Sequence, residues 1–168
     1  MRRRGGGDRG AEERGLSSSE VLFWDAVDGI RETESRYRRE AYGFVVAALG
    51  ATVQALPPER LADPALRHLT GGELLRGLVR LARQEFGVLG PTVFREWGVL
   101  TGEDVGRIVF RLVECGELSA RPEDTLEDFR DFDLFDALTA GLEIGSHRVP
   151  RERRSRPRRT GGDSGPTQ

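Results

Sequence analysis

Thr70-Gly71-Gly72-Glu73-Leu74-Leu75-Arg76-Gly77-Leu78-Val79-Arg80-Leu81-Ala82-Arg83-Gln84-Glu85-Phe86-Gly87 reads as a helix with both ends specified. Thr70 and Glu73 form a capping box, in which the threonine oxygen accepts a first-turn N–H and the glutamate reaches back to the cap. Leu74, Leu78, Leu81, Ala82 and Phe86 recur at spacings of three and four, so they share one face. Gly87 follows the last of them, where glycine tolerates the backbone that closes a helix. The spacing predicts a helix over 70–86.

The flanking segments read the same way. Ser17 and Glu20 form another capping box, and Phe23, Trp24, Val27 and Ile30 predict a helix over 18–33. Tyr37, Ala41, Phe44, Val45, Ala48 and Thr52, widened by Tyr42 and Val46, predict a central helix over 35–56. Pro57-Pro58 stops it, and 57–69 is a connector. Pro91 suits the first position of a short helix over 91–96 that carries Val93 and Phe94, with Trp97 next to it. Thr101 to Asp104 is a further start signal, for a helix over 102–114 with Val105, Ile108, Val109, Leu112 and Val113 inward. Phe129, Phe132, Phe135, Leu138 and Leu142 predict a last helix over 124–142. For 117–132 two readings stand: a small two-stranded β wing, or a loop leading into that helix.

The expected fold is mainly α, a compact bundle of five or six helices in a single domain over 16–145. Residues 1–15, rich in Gly and Arg, and 146–168, rich in Arg, Pro and Gly, have almost no large apolar side chain and are expected to be disordered. Charge follows the same division. Segment 1–15 has five Arg against three acidic residues, and 146–168 has seven Arg against two; the middle has 14 Arg against 23 acidic residues. These give +2, +5 and −9, which recover the net −2. All 26 basic residues are Arg. Their even spread fits a codon bias better than selection for guanidinium recognition.

Few classes of chemistry find support. The single cysteine, Cys115, precludes an intramolecular disulfide and a cysteine-based zinc site. Its acidic surroundings do not favour a thiolate. His147 lies in the basic tail, and His68 reads as part of a helix start. Gly71-Gly72 and Gly87–Gly90 match no phosphate loop and follow no predicted strand. The run Glu123, Asp124, Glu127, Asp128, Asp131, Asp133, Asp136 lacks the EF-hand order and reads as a solvated acidic face. No cofactor and no metal are expected. No stretch approaches the ~20 apolar residues of a spanning helix, and Arg2-Arg3-Arg4 leads into glycines and not into a signal sequence, so no membrane is expected and the cytoplasm is the default.

Several short stretches, in order, carry a resemblance. They are Tyr37…Glu40-Ala41-Tyr42-Gly43-Phe44-Val45, His68-Leu69-Thr70-Gly71-Gly72-Glu73-Leu74-Leu75, Phe86-Gly87, Trp97-Gly98, Gly106-Arg107-Ile108-Val109-Phe110 and Glu127-Asp128-Phe129. Over roughly 20–140 the chain resembles an uncharacterised family of bacterial hypothetical proteins, found mainly in planctomycete and verrucomicrobial lineages. The resemblance implies no activity, cofactor or partner.

Two functional readings remain, and a non-enzymatic one is favoured, although a carboxylate–arginine site assembled across helices would leave no local signature. The first is a protein-interaction or structural module whose acidic surface, with Asp128, Asp131, Asp133 and Asp136, receives a basic segment, and where Trp97 is either core or a contact for a partner. The partner is another protein or the chain's own tail, through Arg151, Arg153, Arg154, Arg156, Arg158 and Arg159. The alternative is a nucleic-acid-associated protein with a winged-helix-like core over 70–132 and a basic tail. Against it, the would-be recognition helix begins with Glu103 and Asp104, whereas phosphate contacts need Arg or Lys.

Overall fold

The computed structural model of the chain describes residues 17–141. Among these the secondary structure is helical, with six helices of six or more residues and one five-residue helix. In chain order they are α1 (Ser18–Thr33), α2 (Arg39–Gln54), α3 (Pro58–Ala62), α4 (Gly71–Phe86), α5 (Gly90–Glu96), α6 (Gly102–Glu114) and α7 (Leu134–Thr139). Short 3₁₀ turns over Pro64–Leu66, Gly87–Leu89 and Leu126–Phe129 join them. None of the helices in this region is long and apolar enough to cross a membrane.

The helix starts follow the capping chemistry. Ser17 with Glu20, Thr70 with Glu73 and Thr101 with Asp104 all form reciprocal capping boxes. Each satisfies backbone donors that a helix start otherwise leaves open. Gly87 closes α4 at a φ of 52°. The core is built on the packing of α4 against α2; α6 packs on both, and α5 and α7 pack on α4 and on each other. Leu74, Leu75, Leu78, Val79 and Ala82 of α4 are buried against Ala41, Tyr42, Val45 and Ala48 of α2 and Val105, Ile108 and Leu112 of α6.

Two boundaries depart from the expectation, and one open choice is decided. The helix expected to begin at 35 begins at Arg39, because the preceding residues are held by distant groups. The Arg38 N–H donates to the Trp97 carbonyl at 3.0 Å, and the Arg31 Nε to the Tyr37 carbonyl at 3.2 Å. The helix expected over 124–142 is broken into the Leu126–Phe129 turn and α7. Asp133 is extended and accepts the Asp136 N–H at 3.0 Å, so a side chain that competes with backbone carbonyls restarts the helix there. Of the expected stripe Phe129 and Leu138 are buried, whereas Phe132 and Phe135 are half-buried and Leu134, off that stripe, is buried in their place. Finally, 117–132 contains no strand. The Glu117 and Leu118 N–H groups both donate to the Leu112 carbonyl, at 2.9 and 3.1 Å, and the Asp124 N–H donates to the Arg121 carbonyl. With its donors spent locally, the segment has little left for a β ladder.

Among the described residues one charged side chain is buried. Asp104, 1 % exposed, gathers the α1–α2 connection, the Leu100–Thr101 turn and α6 around its carboxylate. Its Oδ1 accepts from the Tyr37 hydroxyl at 2.8 Å and lies 2.8 Å from Arg36 Nη2. Its Oδ2 accepts the N–H groups of Leu100 and Thr101, at 2.9 and 3.0 Å, and the Thr101 hydroxyl at 3.1 Å. Burial favours the neutral acid, but the donors from Tyr37, Leu100 and Thr101 together outweigh it and hold the carboxyl below its ordinary range. Burial, followed by the adjacent carboxylate, pushes the Tyr37 hydroxyl well above the usual tyrosine range.

Candidate functional site

A cavity of about 240 Å³ opens where α2, α4 and α6 meet the Glu117–Ala120 segment. Its walls are apolar: Leu49 and Val53 from α2, Leu74 from α4, Val109 and Phe110 from α6, and Leu118 and Phe129 from the segments that follow. For scale, a void of roughly 150 Å³ admits a benzene ring, so this one has room for a large apolar side chain. Its mouth is polar, lined by the exposed Arg67, Thr70, Glu117 and Asp128 and by the half-buried His68 and Asp124.

Local chemistry places each part of the mouth. Arg60 folds the connector before α4 by donating from Nε to the Leu66 carbonyl at 2.9 Å and from Nη2 to the His68 carbonyl at 2.9 Å. Its Nη1 lies 2.5 Å from Glu73 Oε1. That contact with Arg60, followed by the Thr70 N–H, holds the Glu73 carboxyl well down, at about 2. The capping glutamate of α4 therefore also anchors the arginine that positions His68. Across the opening, the Asp124 carboxylate accepts the Arg121 N–H at 2.6 Å, and the Arg121 guanidinium donates to the Ala65 carbonyl. His68 and Asp124 then meet, with Nε2 3.0 Å from the carboxylate. Because a carboxylate only accepts, Nε2 carries the proton and Nδ1 is the remaining ring nitrogen. Gly71 makes the close approach possible: a Cβ there would lie 2.9 Å from the Asp128 carbonyl and 3.1 Å from the Phe129 ring.

The His68–Asp124 pair is half-buried and acts as a clasp between the connector and the loop. A partly exposed side-chain contact of this kind contributes about 1 kcal/mol or less. Replacing His68 with glutamine should therefore leave the denaturation midpoint almost unmoved, while amide exchange over 117–124 rises severalfold. A fall in global stability above ~2 kcal/mol would contradict the clasp assignment.

The residues proposed from the sequence fall in three places. Asp128 is at the cavity mouth, where its carboxylate accepts the Thr125 N–H at 2.8 Å. Asp131 and Asp133 line a shallow depression with Leu100 and Arg130, away from that mouth, and Asp136 is on the first turn of α7; all of these aspartates are exposed. Trp97 is half-buried in an aromatic cluster, with ring centroids 5.3 Å from Phe44 and 5.5 Å from both Phe86 and Phe94. Arg151, Arg153, Arg154, Arg156, Arg158 and Arg159 lie outside the described residues. On α6, the arginines that would meet phosphates are engaged: Arg107 lies 2.6 Å from Glu103, and Arg111 lies 2.8 Å from Glu34 and 2.9 Å from Glu114.

His68 and the cavity itself are what the sequence left out. His68 and Asp124 are separated by 56 positions, and the cavity walls come from five segments. The local signals were an arginine in a Pro-rich connector and a histidine two residues before a cap. Among the described residues no group of three or more His, Cys, Asp or Glu side chains is placed to hold a metal ion. In comparisons with known proteins, the chain matches no family model, no curated protein and no solved structure.

Proposed function

We propose that this chain is a protein-interaction module that takes up a short basic segment of a partner, seating one apolar side chain in the cavity between α2, α4 and α6. The observation that carries this reading is an apolar interior whose opening carries three carboxylates, Glu117, Asp124 and Asp128, against the single guanidinium of Arg67. An apolar interior rewards burial of a side chain, which is worth about 1.5–3 kcal/mol for a large aliphatic or aromatic group. Carboxylates at Glu117, Asp124 and Asp128 select for arginine or lysine beside that side chain and speed encounter.

Titration of the full chain with peptides in which two arginines flank a variable residue tests the reading. With Leu, Phe or Trp at the variable position, the amide resonances of Val109, Phe110 and Leu118 should move saturably. Affinity should fall as salt rises. Val109→Phe, which fills the cavity, should weaken binding at least tenfold, in line with loss of about 1.4 kcal/mol or more. Binding that is indifferent to the central residue, or no saturable shift at low salt, would refute the proposal.

A further inference from the structure

The same opening has a candidate occupant within the chain. We infer that Arg148-Val149-Pro150-Arg151 docks on the cavity in cis, with Val149 and Pro150 entering it and the two arginines meeting the acidic rim, so that the C-terminal segment competes with an outside partner. This rests on the reading of the cavity as a peptide site and adds its regulation.

Two observations converge on that segment. The first is chemical pattern. Val149-Pro150 is an apolar pair bracketed by arginines in a region, 146–168, whose net charge is +5. An apolar cavity with Glu117, Asp124 and Asp128 at its mouth is the complement of that pattern. Proline also restricts its own φ, which lowers the entropy lost on docking.

The second observation is where the described chain ends. Gly141 lies two residues beyond the end of α7, where the carbonyls of Ala137 and of the C-cap Ala140 accept from the Arg83 guanidinium near the end of α4. The cavity is at the other end of α4, around Gly71 and Leu74. Arg83 is twelve residues from Gly71 along the helix, an axial distance of about 18 Å. The eight residues from Gly141 to Val149 extend to at most about 27 Å. Val149 is thus among the first apolar residues of this segment able to reach the opening. Leu142 and Ile144 fall short of it.

Linkage adds a general argument. A short tether presents its end at roughly millimolar effective concentration. A contact with a dissociation constant of about 0.1 mM in trans would then be closed about ten times more often than open in cis. Weak pairing of this kind suits an internal competitor, which must yield to a better ligand.

The full chain carries its own reporter site. Cys115 is the single cysteine, it is exposed, and it follows α6 immediately before the Gly116–Ala120 stretch. A nitroxide placed there should broaden the amides of Arg148, Val149 and Arg151 more than those of 158–165, equally across a tenfold range of protein concentration. Val149→Asp should abolish the selectivity. Without any label, Val149→Asp should shift the resonances of Val109 and Leu118 and should tighten binding of an added Arg-Leu-Arg peptide about tenfold. Uniform broadening along the tail, or peptide binding that Val149→Asp leaves unchanged, would overturn the inference while leaving the peptide site in place. Broadening that grows with concentration would overturn it too, by assigning the contact to a second copy. Failure of both proteins to bind any basic peptide would instead remove the underlying function.

Discussion

Alanine at Asp104 is expected to destabilise the protein by about 3–5 kcal/mol, the usual consequence of removing one partner from a buried charge cluster. The side chain is 1 % exposed and satisfies the Tyr37 hydroxyl, the Leu100 and Thr101 N–H groups and the Arg36 guanidinium. Without it, a buried hydroxyl and two backbone donors lose their acceptor, each costing about 1–3 kcal/mol when stranded. The N-cap of α6 loses its reciprocal partner as well. Tyr37→Phe removes a single donor and should cost less, about 1–2 kcal/mol. Urea denaturation midpoints decide both; a loss below ~1 kcal/mol for Asp104→Ala would mean that water fills the vacated space and restores the bonds.

The same cluster sets the response to pH. The Asp104 carboxyl is held below its ordinary value in the folded chain, so the unfolded chain binds a proton more readily. Its contribution is complete above the unfolded carboxyl range and is lost as pH falls through the folded value. Glu73, lowered from 4.5 to about 2, acts in the same direction over that window, weakened by its partial exposure. Tyr37 has the opposite sign: its pKa is raised on folding, so its contribution is present below the ordinary value of 10 and is lost as pH rises above it. Stability should therefore fall below about pH 4 and again above about pH 10, and Tyr37→Phe should flatten the alkaline limb.

Alanine at Gly77 should destabilise the protein by about 1–3 kcal/mol, the range for an overpacked interior. Helix propensity alone predicts the reverse, since Gly to Ala inside a helix is normally favourable by about 1 kcal/mol. The sign turns on the α2–α4 contact. A Cβ on Gly77 would lie 2.8 Å from Thr52 Cβ and 2.9 Å from Thr52 Cγ2, and closer still to its hydroxyl oxygen. Thr52 resists rotation because its hydroxyl donates to the Ala48 carbonyl at 2.6 Å. Thr52→Ala removes the hydroxyl and the methyl group but keeps the Cβ 2.8 Å away, so the pair Thr52→Ala with Gly77→Ala should recover part of the loss. A coupling of about 1–3 kcal/mol in that double-mutant cycle is expected. Additive effects would show that the helices separate readily at this point.

Much of the helical layout was legible because its signals are local. Ser17 with Glu20, Thr70 with Glu73 and Thr101 with Asp104 are spaced three apart, within reach of one helical turn, and each cap forms as its spacing indicates. The stripe on α4 is equally plain, and its Leu74, Leu78 and Ala82 are buried. Legibility failed where a distant group intervened. Nothing near Tyr37 indicates that its hydroxyl meets a carboxylate 67 positions away, or that Trp97 takes the Arg38 N–H and so delays α2. Asp104 read as a cap is correct but incomplete, since its other oxygen serves the α1–α2 connection. The phenylalanine rhythm over 129–138 suggested one helix, yet Asp133 divides it.

Amphipathic spacing, capping pairs and helix-stopping residues determined that this chain is helical, where most of its helices begin, and that acidic residues concentrate after α6. These follow from interactions within a few residues, which a linear sequence displays directly. Tertiary packing alone decided that Leu49, Val53, Leu74, Val109 and Phe110 leave a space between them, and that His68 and Asp124 close beside it. A cavity is what remains where three helices and a loop fail to fill the volume between them, so it depends on crossing geometry and side-chain size together, and no single stretch of sequence encodes it.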